Sequence, residues 1–230
     1  VTAARETVWL AALAAVGFAL VALATARHGP ALFPDSALYL SSAESLREGR
    51  GYVLYDGRPY TIAPPLYPTL IASTQRLGIP PATINALAFA GTIFVSGRLL
   101  FLSLPPRAAL TGTGAIVLAP VLLGQAVAVL TEALFTCLAG ATALSLQRFL
   151  VSRRRGTLLA AALLTALACL QRYIGVSLVL GGTLLLALRR DGRTLRARLV
   201  DVLVFGTIGI VPFLPGSGAT WWSARGWTSA

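Results

Sequence analysis

Long apolar runs alternate with short polar breaks along almost the whole chain. A membrane-crossing helix needs about 20 apolar residues, and residues 8–26 and 82–104 both meet that length. Residues 108–146 form a 39-residue stretch whose only charge is Glu132, with Pro120, Gly124 and Gln125 as weak points. That stretch predicts two spans turning between residues 119 and 131. Residues 156–188 are 33 long and broken only by Gln171-Arg172, a length that fits one span or two. Residues 199–214 supply a last span.

The flanks decide the ambiguous segment. "RFLVSRRR" precedes it and "RRDGRTLRAR" follows it, and cytoplasmic loops are the arginine-rich ones. With both flanks inside, residues 156–188 must be a hairpin with arms of about 16 residues, or roughly 24 Å each. Its Arg172 apex then dips into the outer half of the membrane, where a charge is costly and points to function. The expectation is an all-α integral membrane protein of the cytoplasmic membrane, with about seven spans and its N-terminus inside. The first span reads as a retained helix rather than a cleaved signal. The outer side receives the loop at 27–81, the turn before Glu132, the Arg172 apex and the Trp-rich C-terminal stretch.

The 27–81 loop is too long to be a simple turn. It predicts two interfacial helices, 36–48 and 66–77, joined by "GRGYVLYDGRPYTIAPP". In the first, Tyr39, Ala43 and Leu46 recur at helical spacing, an apolar face suited to lying on a membrane. Up to Tyr60 the loop is nearly neutral, with Arg27, Arg47, Arg50 and Arg58 against Asp35, Glu44, Glu48 and Asp56.

Composition agrees with this class: 56% of residues are hydrophobic and 12% charged, against about a quarter charged in soluble domains. All 19 basic residues are arginine, which fits a GC-rich coding bias. A pI near 11.2 suggests nucleic acid in a soluble protein, but arginines lodged between apolar runs orient a chain in a bilayer instead. Cys137 and Cys169 sit inside apolar runs as small core residues, with neither metal nor disulfide spacing.

A few polar residues carry candidate chemistry. Asp35, in "FPDSALYL", either caps a helix or presents a carboxylate as base or orienting group to a substrate hydroxyl; Gly49 is the matching helix stop. Arg172 either pairs with a phosphate through its guanidinium fork or snorkels to the outer surface. Tyr173 stacks on a sugar or anchors at the interface. Glu132 holds a hydroxyl or a basic group, or simply suits a helix start. Asp56-Gly57 reads as a tight turn, with a substrate contact as the other reading for Asp56. Arg58 and Arg50 either meet phosphate or lie solvated. His28 stands alone.

The loop "PDSALYLSSAESLREGRGYVLYDGRPYTIAPPLYPTLIA" resembles the first extracytoplasmic loop of GT-C membrane glycosyltransferases, the protein O-mannosyltransferase and aminoarabinose-transferase branch. The shared pattern is an acid opening a small-residue helix, then L-x-x-G-x-G-Y, D-G-x-P-Y and P-P-L-Y-P. Leu46, Gly49, Gly51, Tyr52, Asp56, Gly57, Pro59, Tyr60 and Pro64 to Pro68 hold those places. "TEALFTCLAGATALSL" and "LQRYIGVSLVL" resemble the acidic start of the family's fourth helix and the basic apex between its fifth and sixth; "LPGSGATWWSARGWTSA" matches the segment after its seventh only roughly. Where several members carry an acidic pair at the loop's first position, this chain has Asp35-Ser36. The resemblance implies the N-terminal part of a longer enzyme that moves a sugar from a polyprenyl-phosphate donor to an acceptor on the extracytoplasmic face. It implies Asp35 as the catalytic carboxylate and Arg172, Tyr173, Glu132, Asp56, Arg58 and Tyr60 as substrate contacts. It implies no definite cofactor; a divalent cation shared by Asp35 and Asp56 is the one candidate. Donor, membrane lipid and acceptor are the expected partners, with nucleic acid excluded. A multi-span lipid or solute transporter and a non-catalytic fragment are the competing readings.

Overall fold

The computed structural model describes residues 3–189 and 194–213; the Trp-rich stretch assigned to the outer side lies outside them. The elements are α1 (Ala3–His28), α2 (Pro34–Arg47), α3 (Leu66–Arg76), α4 (Pro81–Phe101), α5 (Pro106–Val117), α6 (Pro120–Val127), α7 (Glu132–Ser152), α8 (Arg155–Gln171), a 3₁₀ turn (Tyr173–Gly175), α9 (Val176–Leu188) and α10 (Leu195–Ile210). The described residues contain no strand, only isolated bridges at Ala31–Ala128 and Val53–Pro59. Proline opens α2, α4, α5 and α6. It fits a first helical position, where its missing N–H has no intrahelical partner to lose and its φ is already helical.

Small residues set the packing, as they do where helices meet without a hydrophobic drive between them. Gly17 of α1 lies against Phe89 and Ile93 of α4, and Gly97 of α4 against Leu10 of α1, so these two helices are antiparallel. Gly91 meets Cys137 and Gly140 meets Val95, which makes α4 and α7 parallel. Gly182 lies on Phe205 and Gly209 on Val179, so α9 and α10 are antiparallel. The bundle therefore has two unlike ends. One carries α2, α3, the start of α7 and the Arg172 apex. The other gathers Arg98, Arg148, Arg153, Arg154 and Arg155, with Arg198 reaching back to the Arg189 carbonyl at 3.1 Å.

The helical rods follow the expected order, but their lengths differ. Among the described residues, only α1, α4 and α7 are long and apolar enough to cross a membrane alone, with the α5–α6 pair a fourth if its 47° bend lies within one span. That bend falls at Ala119, because Pro120 lacks the N–H a continuous helix needs and its ring crowds the preceding turn. α8, α9 and α10 have 17, 13 and 16 residues, short of the ~20 a perpendicular crossing takes. The all-α membrane class therefore stands, while a count of seven crossings exceeds what helix length supports.

The two loop helices form where the pattern placed them, starting and ending within two residues. The apolar face of α2 does something other than lie on a membrane. Tyr39 and Ala43 are buried with Tyr67, Ile71 and Ala72 of α3, and with Leu54, Tyr60 and Val129. Periodicity correctly found the face; its covering is protein.

Candidate functional site

The site's floor is one short non-helical segment, residues 128–131, between α6 and α7. Its backbone is held on both sides. Val129 N–H donates to the Ala31 carbonyl at 3.1 Å, and Ala31 N–H to the Val127 carbonyl at 2.9 Å. From α4, the fully buried Asn85 donates to the carbonyls of Ala128 and Leu130 and accepts the Tyr67 hydroxyl at 3.1 Å. From α8, the buried Gln171 amide donates to the Thr131 carbonyl at 3.1 Å. Three parts of the chain thus converge on the residues that precede Glu132.

Arg172 sits on this floor. It leaves the helical path at φ −149°, ψ 142°, so α8 ends at Gln171 and the hairpin turns. The turn is tight: a Cβ on Gly175 would lie 2.6–2.7 Å from the backbone of Ala168 and Cys169. Arg172 Nη1 donates to the Thr131 hydroxyl at 2.7 Å and lies 2.5 Å from Glu132 Oε1. The two charged side chains keep 34% and 32% exposure. Anchored through one nitrogen, the guanidinium leaves Nε and Nη2 without a hydrogen bond among the described residues. Glu132 does occupy the first helical turn, where an acid suits the dipole, but its carboxylate also serves as the arginine's partner.

Asp35 approaches from α2. The expectation that it caps this helix is not met. Helix α2 starts one residue earlier, with Phe33 at the cap and Pro34 at the first position. The reach-back bond comes from Ser36, whose buried hydroxyl accepts the Phe33 N–H at 3.0 Å. Asp35 is exposed and makes no hydrogen bond or ion pair among the described residues. The other acids of this loop are engaged: Glu44 with Arg47 at 2.7 Å, Glu48 with Arg50, and Asp56 with Arg58 at 2.6 Å. At its far end α2 stops as expected, with Gly49 at φ +77° and the Arg50 N–H on the Ser45 carbonyl at 2.9 Å. That is the paired-bond stop only a residue free to take positive φ makes cheaply.

Tyr39 lies within the fields of both Asp35 and Arg172, and Tyr60 within that of Asp35. Burial raises the Tyr39 phenol, an effect partly offset by hydrogen bonding to Thr131 and sharpened by the fields of Asp35 and Glu132. Burial drives the Tyr60 phenol up more strongly, with Tyr39, Tyr173 and Asp35 adding to it. The Tyr60 hydroxyl is buried and has no hydrogen-bond partner among the described residues, a state that normally costs about 1–3 kcal/mol. Tyr173 donates its hydroxyl to the Thr61 carbonyl at 2.9 Å, tying the apex to the loop.

Five of the seven residues expected at the site therefore gather around two phenols: Asp35, Glu132 and Arg172 act on Tyr39, and Asp35 and Tyr173 act on Tyr60. Asp56 and Arg58 do not join them. They form an exposed turn at Gly57 (φ +80°), where both Asp56 oxygens bind Arg58 through its N–H and Nε. Those bonds hold the Asp56 carboxyl below its ordinary range. The turn's contribution is to aim Tyr60, whose N–H bonds the Tyr52 carbonyl at 2.9 Å. No group of three or more His, Cys, Asp or Glu residues that could hold a metal occurs among the described residues, so Asp35 and Asp56 have no third side chain of these types beside them there.

Thr131, Tyr39 and Gln171 belong to the site beyond the expected set. Thr131 and Gln171 were marked in the chain as polar neighbours of Glu132 and Arg172. Tyr39 was marked only as apolar surface.

Comparison with known proteins finds no matching family model, no similar curated protein and no similar solved structure.

Proposed function

We propose that this chain is a membrane glycosyltransferase of GT-C type, with seven membrane-embedded helical rods. It transfers a sugar from a polyprenyl-phosphate donor to an acceptor hydroxyl on the extracytoplasmic face of the cytoplasmic membrane. The observation that carries the reading is that an unpaired carboxylate, Asp35, and a guanidinium held through only one of its nitrogens, Arg172, both act on the same buried phenol, Tyr39. In this mechanism Asp35 accepts the proton of the acceptor hydroxyl as that oxygen attacks the anomeric carbon. The bond from that carbon to the donor phosphate breaks, and the lipid phosphate departs with its charge met by Arg172 Nε and Nη2. Tyr60 and Tyr39, kept protonated by burial, donate hydrogen bonds to the sugar. Glu132 and Thr131 hold the guanidinium in place.

A cleft of about 230 Å³ between α7 and α9 suits the hydrocarbon tail. It runs from Ser177, five residues past Arg172, along Gly181 and Gly182 to Leu150, and its walls are mostly apolar. The arginine-rich opposite end of the bundle supports the assignment of sides, because such residues stay cytoplasmic. A transporter would concentrate polar groups at a broken helix near mid-membrane. The break here, at Leu118-Ala119-Pro120, carries none.

The test replaces Asp35 with Asn in the full-length protein and follows sugar transfer from a labelled polyprenyl-phosphate donor. Loss of about 100-fold or more is expected of a general base; Glu44→Gln, on the same helix, leaves transfer intact. Undiminished transfer by Asp35→Asn removes the carboxylate from the mechanism and with it the reading's main support.

A further inference from the structure

The bundle's opposite end holds a second concave site. A groove of about 400 Å³ opens between α4, α7 and the start of α8. Arg98, Arg148 and Arg154 line it from three different elements, and Leu102, Leu144 and Val151 form its apolar wall. The lining contains no acid. Arg98 has Glu6 of α1 at 3.7 Å, too far for a hydrogen bond. Arg148 and Arg154 are exposed, and their side chains make no hydrogen bond or ion pair among the described residues.

The local chain path puts them together. Helix α7 stops at Arg153, the one non-glycine residue with positive φ (+56°) among the described residues. Its N–H bonds the Phe149 carbonyl at 2.9 Å and its guanidinium lies over the Phe149 ring at 5.8 Å. The reversal there turns Arg154 into the groove beside Arg148, one and a half turns back on α7. A left-handed arginine is strained, yet a glycine there would lose the ring contact.

We infer that this groove binds the headgroup phosphate of an anionic phospholipid from the inner leaflet, with an acyl chain against Leu102, Leu144 and Val151. Glu6 answers Arg98, but Arg148 and Arg154 have no counterion among the described residues and repel each other unless an anion sits between them. A free phosphate would account for the arginines but leave the apolar wall in water; Val151 is 77% and Leu102 52% exposed. These residues lie where the apolar lengths of α4 and α7 give way to arginine, which is the headgroup level of a bilayer. Basic grooves between helices on that side are where anionic headgroups lodge. The inference needs only that α4 and α7 are embedded; it does not depend on the Arg172 site or on sugar transfer.

The test uses the full chain in neutral detergent with chain-labelled phosphatidylglycerol, read by fluorescence anisotropy. Binding should saturate, yield to unlabelled phosphatidylglycerol, and resist both phosphatidylcholine and millimolar inorganic phosphate. The double variant R148Q/R154Q should weaken it about tenfold or more, at roughly a kcal/mol per surface arginine, and R148K/R154K should retain most of it. A charge-matched pair at the other end, R47Q/R50Q, should leave it unchanged. Val151→Glu, which sets a carboxylate on the exposed wall, should weaken it as well and needs no arginine removed. Unaltered binding by R148Q/R154Q or by Val151→Glu overturns the assignment. So does displacement by phosphatidylcholine, which would make the groove a generic lipid surface, or by inorganic phosphate, which would make it a free-anion site.

Discussion

Asn85 should be the most sensitive position for the integrity of the site, although it touches none of the proposed reacting groups. It lies fully buried in the first turns of α4 and joins three segments: Tyr67 of α3, and the Ala128 and Leu130 carbonyls just before Thr131. Asn85→Leu keeps the volume and removes every polar atom. The Ala128 carbonyl retains the Leu130 N–H at 3.0 Å, so it is not orphaned. The Leu130 carbonyl and the Tyr67 hydroxyl are. Each buried group left without a partner costs about 1–3 kcal/mol, so Asn85→Leu should cost about 2–6 kcal/mol. Tyr67→Phe strips only one bond, orphaning Asn85 Oδ1, and should cost about 1–3 kcal/mol.

The chain carries its own reporter. Cys169 is buried in α8 and Cys137 half-buried in α7, so a thiol-reactive dye in detergent reads their exposure as temperature rises. Asn85→Leu should lower the midpoint clearly more than Tyr67→Phe. In the double variant the two effects should fall short of additive, because the residues share a bond. If Asn85→Leu is no worse than Tyr67→Phe, the bonds to the 128–130 segment contribute nothing, and the account of how the site's floor is held is wrong.

Other consequences are as direct. Tyr60 and Tyr67 should resist alkaline titration, because both phenols are buried. Burial raises both phenols, so the unfolded chain releases these protons first and stability falls as pH rises above about 10. Tyrosinate absorbance that shows all six tyrosines titrating together while the thiols stay protected would refute this. Gly175→Ala should displace the Arg172 apex, since its Cβ meets backbone atoms that cannot swing aside. A loss of about 1–3 kcal/mol in the thiol-exposure assay is expected, along with reduced sugar transfer, and an unchanged midpoint would mean that the turn is not tight.

The fold was legible where one local signal sufficed. Apolar runs located the rods, Pro120 marked the bend between α5 and α6, and Gln171-Arg172 marked the hairpin apex. Other features depend on what meets what. "P-D-S" offers two side chains able to cap, and whether Asp35 or Ser36 takes the role depends on where the helix begins. With Pro34 already helical, the hydroxyl of Ser36 falls in reach of the Phe33 N–H and the carboxylate is released. The spacing of Tyr39 and Ala43 announces an apolar face without saying whether lipid or α3 covers it. Asn85 gave no signal, because a single amide in an apolar run acquires meaning only from carbonyls more than forty residues away.

The Arg172–Glu132 pair has both a structural reading and a catalytic one, and a double substitution separates them. Removing either partner alone leaves a partly buried charge without its counterion, so Arg172→Gln and Glu132→Gln should each destabilise the apex whatever the pair is for. The double variant E132Q/R172Q replaces the ion pair with two amides of similar size that can bond each other and Thr131. Neutral replacements of this kind often restore much of the stability lost by the single variants. If the pair only fastens α7 to the hairpin, transfer activity should return with the thiol-exposure midpoint. If Arg172 meets the departing phosphate, the midpoint should recover while transfer stays low, because no amide supplies the positive charge. Recovery of both would leave Arg172 a fastening residue and move the phosphate contact elsewhere.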